Sequence, residues 1–324
     1  MKRPLIYFAA VLILAAVVIA LERPDMPSRG DVDETPLFPG YNAKEITRFE
    51  VGQLLSGVQA KREGDAWQVA DFVTPMRREL MQKEGAALPA EAWYPADRGI
   101  VEGMLGIFGD FPRGMVVSAN PEKQAEYQVT GPLGLSVRLY KGDAKVVDIT
   151  VGRQSPDYSG NIVKVGDSND LTLSDRVLTG LIPVAVADWR ERMIWRVAPE
   201  HIRRITITNP KDSFDAIKGD DGVWRRTTSA DTALDQEKIK GVAVKLAQLR
   251  AAGFANAGDP MTNFKNAALT VRVELDDGTV HELAIGGANN LNLRYARHAG
   301  TSQVYFVEGF DIFLSDEFAG LAKK

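Results

Sequence analysis

The chain has 324 residues, 45% of them hydrophobic and 25% charged, with a formal net charge of −4, no cysteine and three histidines. These values suit a folded polypeptide with room for two ordinary domains. They exclude thiolate catalysis and disulfide staples, set aside the usual Cys/His zinc site, and make nucleic acid a poor electrostatic match.

Residues 4–21 carry no charge, follow Lys2 and Arg3, and are closed by Glu22 and Arg23. As a helix they cover roughly 27 Å, close to the bilayer's hydrocarbon thickness of about 30 Å. The competing reading is a cleaved signal peptide, which has a shorter apolar core and a small-x-small site; Val18-Ile19-Ala20 followed by Leu21 is a poor one. The absence of cysteine rules out a lipoprotein. We therefore expect a transmembrane anchor over 1–21 in a bacterial inner membrane. The positive-inside bias places the N-terminus in the cytoplasm and the body in the periplasm, after a single pass. Residues 22–43 hold Pro24, Pro27, Pro36 and Pro39 with Gly30 and Gly40, which predicts an extended tether.

The remainder reads as a duplication, with repeats over 44–192 and 193–324. Ile46, Phe49 and Val51 recur as Ile202, Ile205 and Ile207, and Trp67 recurs as Trp224. An amphipathic helix follows in each copy: Ile100, Val101, Met104, Leu105, Ile107 and Phe108 after Asp97, then Ile239, Val242, Ala243, Leu246 and Leu249 after Asp235. Their three-and-four spacing predicts one buried face, and the aspartates sit where N-caps belong. Next comes an alternating pair of strands, residues 135–152 matching 269–286 at a constant offset of 134, with Lys141-Gly142 and Asp277-Gly278 as turns. A further pair closes each copy, 161–165 with 171–173 and 293–297 with 304–307. The first copy carries roughly 18 additional residues between 72 and 95, among them Met76, Leu80, Leu88, Trp93 and Tyr94. Insertions on a repeated scaffold sit on the surface and can carry specificity, so a partner contact is placed there. The expected fold class is α+β: an N-terminal transmembrane helix, then two repeated α+β domains with mainly antiparallel sheets.

The order of elements carries a resemblance. The Trp67 strand, Pro95-Ala96-Asp97, the stretch 116–127, the Val137-Arg138-Leu139 hairpin and the linker Asp188-Trp189-Arg190-Glu191-Arg192 together resemble a bacterial family known as domain of unknown function 4340. Tyr127-Gln128-Val129 departs from its usual Tyr-Gly-Leu. The resemblance implies one N-terminal anchor and a setting beside gliding-motility ABC transporters, with a permease and GldG-like subunits as partners. It supplies no catalytic residues.

Chemical motifs are sparse. A P-loop, Gly-x-Ser-x-Gly and His-Glu-x-x-His are all absent, and Gly286-Gly287 lacks dinucleotide-loop spacing. Residues 167–170 and 215–221 lack the ligand pattern of an EF-hand and read as turns. Trp67 and Trp224 read as core rather than a sugar platform. Arg138 and Arg272 read as a solvated sheet face. Trp189, Arg190 and Arg192 read as glue near the link between copies. We expect no catalytic residue, no cofactor and no metal. The leading expectation is a non-enzymatic accessory or scaffold component of a gliding-type ABC transport system. A periplasmic module binding envelope glycan or peptide is the alternative, and an envelope hydrolase the third reading.

Overall fold

The computed structural model describes residues 33–227 and 233–310. The expected anchor and half of the expected tether, residues 22–32, fall outside them. Among the described residues no helix is long and apolar enough to cross a membrane. The chain divides into two compact units, Met1–Glu191 and Arg192–Lys324.

The first unit runs β1 (Asp33–Pro36), β2 (Arg48–Gln53), β3 (Ser56–Glu63), β4 (Ala66–Asp71), α1 (Pro75–Lys83), β5 (Tyr94–Pro95), α2 (Arg98–Gly106), β6 (Pro112–Ser118), β7 (Leu135–Lys141), β8 (Ala144–Gln154), β9 (Asn161–Val165), β10 (Leu171–Leu173) and α3 (Val186–Trp189). Its strands form one antiparallel sheet in the order β1-β6-β10-β9-β8-β7-β2-β3-β4-β5. Alternation sets the register: Phe49 pairs with Leu139 and Val51 with Val137, so one face is apolar throughout. Helix α2 covers that face with Val101, Met104 and Leu105. Asp97 caps it, accepting from the Gly99 and Ile100 amides. Trp189 closes the same core, its ring 5.0 Å from Phe49 and its Nε1 donating to the Pro183 carbonyl.

The second unit runs β11 (Met193–Arg196), β12 (Ile202–Thr208), β13 (Ser213–Lys218), β14 (Trp224–Arg226), α4 (Gln236–Ala247), β15 (Gln248–Arg250), β16 (Gly253–Ala255), β17 (Leu269–Leu275), β18 (Val280–Ala288), β19 (Arg294–His298) and β20 (Val304–Val307). The sheet order is β14-β13-β12-β17-β18-β19-β20-β16, with β11 and β15 as a separate pair. Read from the other end, this order repeats that of β6 through β4 in the first unit, strand for strand. Asp235 caps α4 through the Glu237 and Lys238 amides, and Ile239, Ala243 and Leu246 enter the core.

The expected α+β class is corrected: the protein is mostly antiparallel sheet with few helices. The helices α1, α2 and α4 have only nine, nine and twelve residues, because each helical period is cut short by turn residues, while the alternating stretches extend into long ladders. The expected tether is also shorter. Residues 33–36 pair with β6, Phe38 is buried against Phe108 and Phe111, and the Tyr41 hydroxyl donates to the Leu105 carbonyl at 2.8 Å. Proline is tolerated there because β1 is a sheet edge.

The Gly286 position is neither a loop for phosphate nor a simple strand end. A Cβ at Gly286 would lie 1.7 Å from the Thr262 carbonyl oxygen, and one at Gly152 would lie 2.1 Å from that of Tyr127. These two glycines occupy the same point in β18 and β8, and in both units crossing backbone fills the space a side chain would need.

Candidate functional site

A cleft of about 590 Å³ lies in the first unit, where the β2–β3 turn, the segment entering α1 and the 129–134 loop converge. Leu54, Phe72, Thr74, Met76, Pro132 and Arg138 line it. The insertion contributes Thr74, the N-cap of α1, which accepts from the Arg77 amide and donates its hydroxyl proton to the Leu54 carbonyl at 2.6 Å. The 131–134 loop is latched from the opposite side. The Leu54 amide donates to the Pro132 carbonyl, and the Gln53 side-chain amide donates to that of Leu133.

The mouth is apolar where turn chemistry favours polar residues. Gln53 pairs with Ser56, leaving Leu54-Leu55 as a two-residue hairpin turn. Leu54 has φ of 52° at the first central position, which a type II′ turn gives to glycine. A side chain there costs on the order of 1 kcal/mol. Leu54 is nevertheless 43% exposed and Leu55 42%. Leu133 on the latched loop, and Met76 and Leu80 one turn apart on α1, are exposed as well. Helix α1 buries no residue fully.

The polar part of the cleft is already compensated. Arg138 sits between Glu50 at 3.8 Å and Asp148 at 3.5 Å, and Lys145 also pairs with Asp148. Arg48 stacks 3.6 Å over the Tyr140 ring, whose hydroxyl donates to Glu50 at 3.1 Å. Burial and the Glu50 carboxylate raise the Tyr140 phenol above its ordinary range. Glu79 at the rim is held below the usual carboxylate range by a hydrogen bond from Lys83 at 2.8 Å. Thr74, Ser136 and Thr150 bring hydroxyls, and no histidine is among the described residues that line the cleft. The arrangement suits contact with an apolar, partly polar surface.

The other singled-out residues are held in place locally. Trp67 and Trp224 are core residues, 5% and 3% exposed. Arg272 lies on the face opposite the core, pairing across with Thr206 and Glu282 positions. Arg190 stacks 3.7 Å over Tyr94, and Arg192 donates to the Ala252 carbonyl. Trp93 lies under the Lys61 ammonium at 4.4 Å. Asp215 accepts from Arg204 Nε and Nη2 and from Thr206 and Thr227, which lower its pKa, the Arg204 bond most. Asp221 is paired with Arg225, and the Asn169 side-chain oxygen accepts from Gln124. Among the described residues no group of three or more potential metal ligands is gathered.

Sequence reasoning pointed at the 72–95 insertion, and its start lines the cleft. It missed Leu54, Leu55 and Leu133. Two adjacent leucines between alternating strands were the available signal, since a turn ordinarily selects Gly, Asn or Asp there.

The profile of a family described as "Domain of unknown function (DUF4340)" matches residues 87–267, more than half of the chain. It takes in the 129–150 side of the cleft, while residues 52–79 lie before it. No curated protein and no solved structure matches the chain.

Proposed function

The chain belongs to the DUF4340 family, and on that premise we propose that it acts by binding, as a non-enzymatic accessory subunit of an ABC-type transport complex at the bacterial inner membrane. The cleft of the first unit is the docking point for a membrane-complex partner. One observation carries the reading: Leu54 and Leu55 stay exposed at a turn whose backbone disfavours Leu54, and Leu54 lines the cleft together with the exposed Met76. Covering a leucine side chain is worth roughly 1.5–3 kcal/mol, so a few such anchors supply useful affinity for a protein surface. The uncharged run 4–21 behind Lys2 and Arg3 supports the location, and the setting implied by the family resemblance supports the class of partner.

The test is purification of the tagged full-length protein from its own cells in gentle detergent, with mass spectrometry of what accompanies it. Stoichiometric recovery of an ABC permease and ATPase is expected. Recovery of the chain alone, under conditions that preserve a known ABC complex, would overturn the proposal.

A further inference from the structure

The second unit holds a pair of histidines that the first unit replaces by hydrocarbon. His281 on β18 and His298 on β19 lie on the core-facing side of adjacent antiparallel strands, since they share it with Leu283 and Ala296. Leu283 pairs with His298, which sets His281 diagonally across from it. The ring centroids are 5.6 Å apart with 34° between planes. Trp195 stacks on His281 at 5.2 Å and 19°, and its ring lies 5.3 Å from His298. The indole is itself fixed, donating to the Leu246 carbonyl at 2.6 Å.

Neither imidazole ring forms a hydrogen bond to a protein group among the described residues. His201 differs, because its Nδ1 is bound to Asp276 at 2.8 Å. The ladders identify the equivalent positions in the first unit. Val147 pairs with Leu139 as His281 pairs with Val273, and Val165 pairs with Ile149 as His298 pairs with Leu283. Val147 and Val165 pack into an ordinary core. The scaffold therefore does not require imidazoles at these points.

We propose that His281 and His298 form a two-imidazole chelate for a late first-row divalent metal ion, copper(II) in preference to nickel(II) or zinc(II). With metal–nitrogen bonds of about 2.0–2.1 Å, and roughly one further ångström from nitrogen to ring centre, two imidazoles on one ion stand about 4.4 Å apart between centroids at a right angle, about 5 Å at the tetrahedral angle and about 6 Å when trans. The observed 5.6 Å lies between the tetrahedral and trans values, so small side-chain rotations bring both rings onto one ion. Imidazole nitrogen is a ligand for all three metals, and copper(II) binds most tightly in the divalent series. No third carboxylate or histidine joins the pair among the described residues, so water or a group from a partner completes the coordination. Burial holds both rings below the ordinary imidazole range, which keeps them in the neutral, ligating form. The site is independent of the cleft and of the transport reading.

The experiment uses the full-length protein, stripped with a chelator and titrated with copper(II). Calorimetry reads stoichiometry and affinity, and tryptophan fluorescence reads proximity to Trp195. One equivalent bound tighter than about 100 µM, with quenching, is expected. His281→Val/His298→Val, which installs the first unit's residues, is expected to keep its circular dichroism and melting temperature and to bind at least about tenfold more weakly. The single variant His298→Gln gives the same reading should the double variant fold poorly. In Trp195→Phe, binding is expected to persist while most of the quenching disappears. Equal affinity in wild type and the histidine variants, or binding by wild type weaker than about 100 µM, would overturn the site. So would undiminished quenching in Trp195→Phe.

Discussion

The two units share a strand order and a capped helix over one sheet face, and beyond the added strands β1 and β5 and the β11–β15 pair they diverge at two places that bear on binding. The first unit inserts α1 after β4 and opens a cleft lined by the exposed Leu54 and Met76, whereas the second passes from β14 to α4 through a shorter connection. The second unit puts His281 and His298 where the first has Val147 and Val165. The retained features are those the fold needs: register, caps, and the glycines where backbone crosses a strand. The divergent ones are where stability gains nothing evident, and local rules broken without a structural return point to binding.

The strongest way to break the shared-core side of this comparison is to truncate equivalent core residues. Phe49 and Ile205 occupy the same register point, opposite Leu139 and Val273, and both are fully buried. Phe49→Ala should cost about 3–5 kcal/mol and Ile205→Ala about 2–5 kcal/mol, read by urea unfolding. A loss below 1 kcal/mol at either position would show that the equivalence is only topological.

The paired glycines sharpen it next. Gly152→Ala and Gly286→Ala should each destabilise by about 1–3 kcal/mol, because the new methyl meets a carbonyl oxygen at 2.1 or 1.7 Å. Gly241→Ala within α4 is the control. Its Cβ meets nothing within 4 Å, and it should stabilise by about 0.5–1 kcal/mol.

The smallest expected effect concerns His201, which only the second unit has. The hydrogen bond to Asp276 raises its pKa above the ordinary 6.5, and the same contact lowers that of Asp276 below 3.8. The histidine's contribution is therefore full below pH 6.5 and disappears as pH rises through its folded value. Asp276→Asn should lower the melting temperature slightly near pH 5.5 and leave it unchanged near pH 9. Both side chains are exposed, so a large shift at either pH would contradict this account.

Much of the ladder was legible because alternation and the offset of 134 fix which residues pair: Leu135 with Val151, and Leu269 with Ile285. Asp97 and Asp235 were legible as caps for the same local reason. The α+β reading overstates the helices: their periods are clear in the sequence, but they span only nine to twelve residues beside the longer ladders. β1 was hidden in a proline-rich stretch, since its strand conformation depends on β6, some eighty residues later. The cleft's defining feature is a backbone angle at Leu54, which no composition reports. The histidine pair was half legible: the offset already aligned His281 with Val147, but His298 joins it only through the β18–β19 register.

The central claim, that the exposed turn is kept for binding rather than folding, is tested most directly by giving the turn its preferred chemistry. In full-length Leu54→Gly/Leu55→Ser, glycine relieves the φ of 52° and the apolar tip is removed. The measurement is co-purification of the ABC permease and ATPase, with the melting temperature taken on the same samples. The account predicts an equal or higher melting temperature and loss of most of the partner. Undiminished recovery of permease and ATPase with the variant would contradict it.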